Sequence, residues 1–284
     1  MNIRSLARSL SPFSIVGLAA AAALTAFALS GCAVEADDEA LSQSADPIVG
    51  GKVTTARPSV GLLLDVTDQA KTGSVGVCTG TVVGKRTVLT AAHCLDRAGQ
   101  KSTFTVHDSS GKGISANVVS RAQAPGYKKL PSSGVTLEQF YANPDIAIVR
   151  LDRDLPVRAI PIATDAPVVG TFITIVGYGA TGSGARDAGR AKRQTTNFIK
   201  AVEDDHISFE QVSGVFGISC GGDSGGPALV KAGSGEAVAA VTHFGDCGKL
   251  SAYTRADVFK AFIERASGGD VVFADETGLP NAKR

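Results

Sequence analysis

A chain of 284 residues can bury a real core, as one large domain or two modest ones. Its 33 glycines, 19% charged residues, single Met and lack of Trp describe an ordinary globular protein with a lean towards strands. A net charge of +1 supplies no field for bulk capture of nucleic acid or of an anionic membrane, and both classes are set aside.

The chain opens with Arg4 and Arg8, an apolar run over 15–29, and the small-residue site Ser30-Gly31-Cys32. This is the architecture of an export signal, and the run is shorter than the ~20 residues that a bilayer-spanning helix requires. Leu29-Ser30-Gly31-Cys32 also resembles a bacterial lipobox, which makes Cys32 a lipidation site; an ordinary signal-peptidase site nearby is the alternative. Residues 1–31 are then a lipoprotein-type signal peptide. A lipid on Cys32 would anchor the protein in the cell envelope without spanning the membrane, and Ala33 would permit passage to the outer membrane of a two-membraned host. Residues 32–47 are acidic and polar, with nothing to pack, and form a tether or pro-segment.

From Ile48 onward, short Val/Ile/Leu/Thr-rich stretches recur between Gly, Pro, Asp and Ser: 60–66, 81–91, 102–107, 116–121, 146–151, 172–178, 228–231 and 237–244. Many short strands with regular turn signals predict an all-β sandwich or barrel. One helix is expected over 257–266, where Val258, Phe259, Phe262 and Ile263 form one stripe and Gly268-Gly269 ends it. No function follows for residues 267–284.

Besides Cys32 there are Cys78, Cys94, Cys220 and Cys247, an even number in an exported chain. Disulfides fit better than a zinc site, whose ligand spacing is missing, but three pairings stay open.

Ser224 lies in Cys220-Gly221-Gly222-Asp223-Ser224-Gly225-Gly226-Pro227. A hydroxyl is a poor nucleophile at neutral pH and needs a base and a way to hold developing negative charge. The flanking glycines permit positive φ and close approach of a substrate, and the backbone N–H groups of Gly222 and Ser224 can converge as an oxyanion hole. Thr90-Ala91-Ala92-His93-Cys94 supplies a His at the end of an apolar strand, and Asn143-Pro144-Asp145-Ile146-Ala147-Ile148-Val149 supplies an Asp at the head of another. Each motif alone is ambiguous. Together, in the order His…Asp…Ser, they are specific.

These motifs, with Ile48-Val49-Gly50-Gly51 and Gly177-Tyr178-Gly179, resemble the trypsin/chymotrypsin family of serine proteases from Ile48 to about Ala266. The resemblance implies a triad in which Ser224 attacks, His93 shuttles the proton and Asp145 orients the imidazole. It implies two antiparallel six-stranded β-barrels, about 48–155 and 156–266, closed by a C-terminal helix. It implies the disulfides Cys78–Cys94 and Cys220–Cys247. It also implies a zymogen: cleavage before Ile48 by an activating protease would free an amine to pair with Asp223. The bond follows Asp46-Pro47 rather than Arg or Lys, so a trypsin-type activator does not fit.

By the same resemblance the specificity pocket involves Ile218 at its floor with Phe244, Gly245 and Ser251 around it. An Ile there does not select Arg or Lys. Val241-Thr242-His243-Phe244-Gly245 aligns in two registers, of which the preferred one makes Gly245 the open wall; both favour small or medium apolar residues before the cut bond. The remaining histidines, His107, His206 and His243, receive no catalytic role. The expected partners are a protein or peptide substrate, an activator and a membrane reached through lipid; the protein is expected to act as a monomer without metal or cofactor. Two rivals remain: a lipid-anchored, inactive binding protein on a protease fold, and a hydrolase of non-peptide esters. An α/β-hydrolase would show Gly-x-Ser-x-Gly and the order Ser…Asp…His, and the chain has neither.

Overall fold

A computed structural model describes residues 48–275, apart from 109, 132 and 133. The expected signal peptide, Cys32, the expected tether and the end of the tail lie outside the described residues. The described residues all fall within one compact unit, 44–284.

The first half contributes β1 (Lys52–Val53), β2 (Val60–Asp65), α1 (Gln69–Thr72), β3 (Gly76–Val82), β4 (Thr87–Thr90), β5 (Ser102–His107), β6 (Gly113–Gln123), α2 (Leu137–Tyr141) and β7 (Ala147–Leu151). Six of these strands close a barrel in the order β2-β3-β4-β7-β6-β5. Period-2 alternation drives it: β5 buries Ser102, Phe104 and Val106 while the residues between them are less buried. Leu63, Val88, Phe104, Val106 and Val149 fill the interior.

The second half contributes β8 (Ile162–Ala163), β9 (Phe172–Gly177), β10 (Arg193–Phe198), β11 (Ala201–Val202), β12 (His206–Glu210), β13 (Pro227–Ala232), β14 (Gly235–Gly245), β15 (Leu250–Arg255), α3 (Lys260–Ala266) and β16 (Phe273–Ala274). Their sheet runs β1-β10-β9-β13-β14-β15-β12-β11. Because β10 and β11 are consecutive in the chain, the sheet curls round so that β9 and β12 flank one bent strand. This is the second barrel. Its core holds Ile173, Ile175, Ile207, Phe209, Ile218 and Tyr253, and also Ile48.

The expected all-β, two-barrel class with a closing helix is the observed one. Details differ. The run 81–91, expected as one strand, breaks between β3 and β4 at Gly84-Lys85-Arg86, where a Cβ on Gly84 would lie 1.6 Å from the Asp270 carbonyl oxygen. The helix begins at Lys260 rather than 257; the Asp257 carboxylate instead accepts from the Arg255 guanidinium, and Val258 stays exposed. Helix α2 was not expected; a capping box between Thr136 and Gln139 sets it.

Residues 267–275 are not a loose appendage. The Asp270 carboxylate accepts the N–H groups of Lys85 and Arg86, the Thr87 hydroxyl and the Arg150 guanidinium, all in the first barrel. Three residues on, β16 pairs in parallel with β8 of the second sheet. The segment therefore clips one barrel to the other. Among the described residues no helix is long and apolar enough to cross a membrane.

Candidate active site

Antiparallel pairing of β4 with β7 sets Thr90 opposite Ala147. His93 lies three residues past Thr90 and Asp145 two before Ala147, so both reach the same rim of the first barrel. Asp145 is fully buried there. Its Oδ1 accepts the His93 backbone N–H at 2.8 Å and its Oδ2 lies 2.5 Å from His93 Nδ1. Burial pushes the Asp145 carboxyl up, but the charge and hydrogen bonds of His93 outweigh it and hold it below the usual value. For His93 burial works downward and the Asp145 charge upward, and the balance raises its pKa.

Ser224 comes from the loop before β13. That loop is pinned to the first barrel: Thr79 donates its N–H to the Ser224 carbonyl at 2.8 Å. Gly225 makes the approach possible. Its φ is +82°, and a Cβ there would meet Thr90 Oγ1 at 2.1 Å and the Thr79 carbonyl at 2.4 Å. His93 and Ser224 line one cleft of about 420 Å³, together with the disulfide Cys78–Cys94. His93 also lies close to the sulfurs of that disulfide, but bonded sulfurs offer no thiolate to a metal.

Gly222 has φ +101°, with Gly179 Cα 3.2 Å and the Tyr178 carbonyl 3.3 Å from where a Cβ would stand. Among the described residues the N–H groups of Gly222 and Ser224 have no acceptor, while Asp223, Gly225 and Gly226 spend theirs on Cys220, Thr242 and Asp223 carbonyls. Asp223 is fully buried. Its carboxylate accepts Gly179 N–H at 2.7 Å and Cys220 N–H at 2.9 Å. Burial nonetheless pushes its pKa up to about 7. Ile48, whose amine the resemblance pairs with Asp223, is buried in the same barrel, and Val49 bridges to Ile218.

The second disulfide, Cys220–Cys247, ties the Ser224 loop to the turn after β14. Beside it, Ser219 and Ser251 share a hydrogen bond of 2.8 Å, and a Cβ on Gly245 would lie 2.3 Å from the Ser219 carbonyl. Ile218 packs into the barrel core rather than lining the cleft that holds His93 and Ser224. Phe244 stacks on Phe140 of α2, ring centroids 5.3 Å apart.

One neighbour escaped the sequence. His243, placed by β14 next to Phe244, sits 3.5 Å from Asp145 Oδ2 through its Nε2. Only the folded structure reveals it: nothing in Val241-Thr242-His243 marks the residue as facing the first barrel.

A partly exposed His held by a buried Asp, sharing a cleft with a serine between two β-barrels, defines the class of serine hydrolases built on the chymotrypsin architecture. The Trypsin family model matches residues 48–263, and the chain belongs to that family. It is 32% identical to CLIP domain-containing serine protease B10 of Anopheles gambiae, over 67% of this chain and 60% of that protein. It is 29% identical to a trypsin-like protease of Streptomyces glaucescens, over 67% of this chain and 74% of the relative. Among solved structures, neuropsin from mouse brain superposes with a TM-score of 0.59 at 22% identity, covering 76% of this chain and 97% of that one. Human heparin binding protein superposes with a TM-score of 0.57 at 18% identity, covering 76% and 95%. These two establish the fold alone.

Proposed function

We propose that the protein is an exported serine endopeptidase that cleaves peptide bonds through an acyl-enzyme. The observation that carries this reading is the His93–Asp145 pair, held at two points, opening on the same cleft as Ser224. Ser224 Oγ attacks the scissile carbonyl while His93 takes its proton. The tetrahedral oxyanion turns to the free N–H groups of Gly222 and Ser224. His93 then returns the proton to the leaving amine, and a water repeats the sequence to release the acyl group. Asp145 keeps the imidazole in the tautomer that presents Nε2 to the serine.

The protein is made as a zymogen and activated by an unidentified protease that frees the Ile48 amine for Asp223. The raised pKa of Asp223 supports this, since a buried carboxyl without a cation resists ionisation. Cleavage follows small or medium apolar residues: Ile218 offers no acid for Arg or Lys, and Gly245 lies close against Ser219. A lipid on Cys32 holds the enzyme in the cell envelope as a monomer, with residues 32–47 as its tether.

The test is fluorophosphonate labelling of the full chain and of a chain beginning at Ile48. Labelling at Ser224 in the trimmed chain, absent in the full chain and abolished by Ser224→Ala, establishes the zymogen protease. Well-folded protein that labels in neither form refutes it and leaves a binding protein on a protease fold. For the anchor, Cys32→Ala should move the protein from membrane to soluble fractions; continued sedimentation with membranes rules out lipidation.

A further inference from the structure

His243 and His206 are both buried, and the mechanism above uses neither. His243 Nε2 lies 3.5 Å from Asp145 Oδ2. Its Nδ1 lies 3.1 Å from Nε2 of His206 on β12. His206 Nδ1 in turn lies 2.7 Å from Asp205 Oδ1, in the turn between β11 and β12, where the aspartate side chain is 26% exposed. A line of side chains therefore runs from the triad carboxylate through two imidazoles to a second carboxylate at the surface.

Counting protons shows what this line demands. The two contacts of His206 are hydrogen bonds of 2.7 and 3.1 Å and the His243–Asp145 contact is a longer polar one of 3.5 Å; each is attractive only if one proton lies in it. Two carboxylates bring none, and two neutral imidazoles bring one each. Two protons cannot fill three contacts, so the set is complete only when the histidine pair carries a third.

We propose that His243 is a positioning residue for Asp145, with its tautomer set by His206 and Asp205, so that two imidazoles grip the triad carboxylate instead of one. The proposal rests on the protease reading above. In the complete state His206 donates to both Asp205 and His243, and His243 keeps its Nε2–H for Asp145. Burial pulls His243 down to about 4, which keeps it neutral. With only two protons in the set, His206 keeps Nδ1–H for the shorter contact to Asp205. The Thr254 hydroxyl, 3.3 Å from His206 Nε2, can then donate to the vacated nitrogen. His243 loses the donor that fixed its tautomer.

The titratable groups facing the pair are Asp145 and His93 from the first barrel, Asp205 from the turn, and Tyr141 of α2, edge-on to His206 at 5.6 Å. The Arg255 guanidinium is occupied by the Glu203 and Asp204 carbonyls and by the Asp257 carboxylate. Phe140 covers His243, ring centroids 5.3 Å apart, and shields it from solvent.

The experiment compares His243→Leu, His243→Gln and Asp205→Asn in the chain beginning at Ile48. Loss of one charge-assisted hydrogen bond should lower kcat of the Leu variant roughly ten- to hundredfold with KM little changed. The Gln variant, whose amide nitrogen can replace Nε2, should recover most of that loss. Asp205→Asn, which removes the carboxylate that holds His206 Nδ1–H, should lower kcat in the same direction by a smaller factor, with KM little changed. Equal activity of the Leu variant and the unaltered protein overturns the proposal; equal losses in Leu and Gln reduce His243 to packing and overturn it too. The His93 Nδ1–H proton resonance gives a readout without turnover, in the full chain as well. It should move in the Leu variant and stay put in the Gln variant, and an unmoved resonance in the Leu variant counts against the proposal. If His243→Leu does not fold, Asp205→Asn, at a partly exposed position, carries the same test. Failure of the unaltered trimmed chain to label would sink the protease reading instead, and the resonances would still decide this one.

Discussion

In the proposed mechanism His93 must be neutral to accept the Ser224 proton, yet its pKa is held above the ordinary imidazole value of 6.5 by Asp145 against the opposing pull of burial. The acid limb of kcat/KM is therefore expected above pH 6.5 in the trimmed chain. Asp145→Asn should lower activity by several orders of magnitude, since an amide neither holds the tautomer nor steadies the imidazolium. A pH–rate profile checks the first expectation; a limb near 6 would mean that Asp145 is not charged beside His93. Gly225 carries a second prediction. With φ +82° and a Cβ position 2.1 Å from Thr90 Oγ1, Gly225→Ala should cost about 1–3 kcal/mol of stability in a urea melt and abolish labelling of Ser224. Wild-type labelling in that variant would show that the Ser224 loop need not lie against Thr79 and Thr90. At this scale the sequence was most legible. His93, Asp145 and Ser224 each sit in a motif whose neighbours are constrained by the same chemistry: glycines where backbone must approach, a Cys where the strand is stapled. His243 was illegible because its partner lies 98 positions away, and because it falls where the pairing of β14 with β15 is irregular, between Thr242 and Phe244.

Strands were legible where Val, Ile, Leu, Phe and Thr dominate, whether burial alternates as in β5 or is continuous, and hidden where charged and amide side chains interrupt them. β7 (AIVRL) and β9 (FITIVG) are apolar enough to be read directly. β10 (RQTTNF) and β12 (HISFE) are not, because half their side chains do polar work: Asn197 donates to the Glu210 and Gly217 carbonyls, and His206 joins the buried histidine pair. The tail was equally opaque, since a single Asp in a Gly-rich stretch does not announce four partners. Asp270 is where that element can be tested. Burial raises its carboxyl, but the Arg86 and Lys85 N–H groups, Thr87 and Arg150 lower it further than burial lifts it. A carboxyl depressed in the folded state stabilises above its unfolded pKa near 4, and that contribution fades as pH falls through the folded value. Asp270→Asn should thus destabilise the protein by about 1–3 kcal/mol at pH 7 and by less near pH 3. Identical urea midpoints for variant and parent at pH 7 would show that residues 267–275 do not hold the barrels together.

At the scale of the whole molecule, the two barrels leave one buried charge problem, at Asp223. In the intact chain Ile48 is an amide, and among the described residues no ion pair reaches the Asp223 carboxylate; Arg193 offsets only part of its burial. A pKa near 7 in the folded state against 3.8 unfolded means the folded protein binds the proton more tightly. The contribution of Asp223 to stability is then greatest below pH 4 and declines as pH rises towards 7, by roughly 3–5 kcal/mol. A free Ile48 amine reverses the sign. Its charge lowers Asp223, and the pair stabilises until the amine itself titrates, above its ordinary value of about 8. Two proteins differing by one residue isolate this effect, one beginning at Ile48 and one at Pro47. Their urea midpoints should coincide near pH 4 and separate by pH 7, the Ile48 protein being the more stable and the only one labelled at Ser224. Stability curves that run parallel across that range would place the Asp223 charge outside the reach of the new terminus, and activation would then have to be sought elsewhere in the fold.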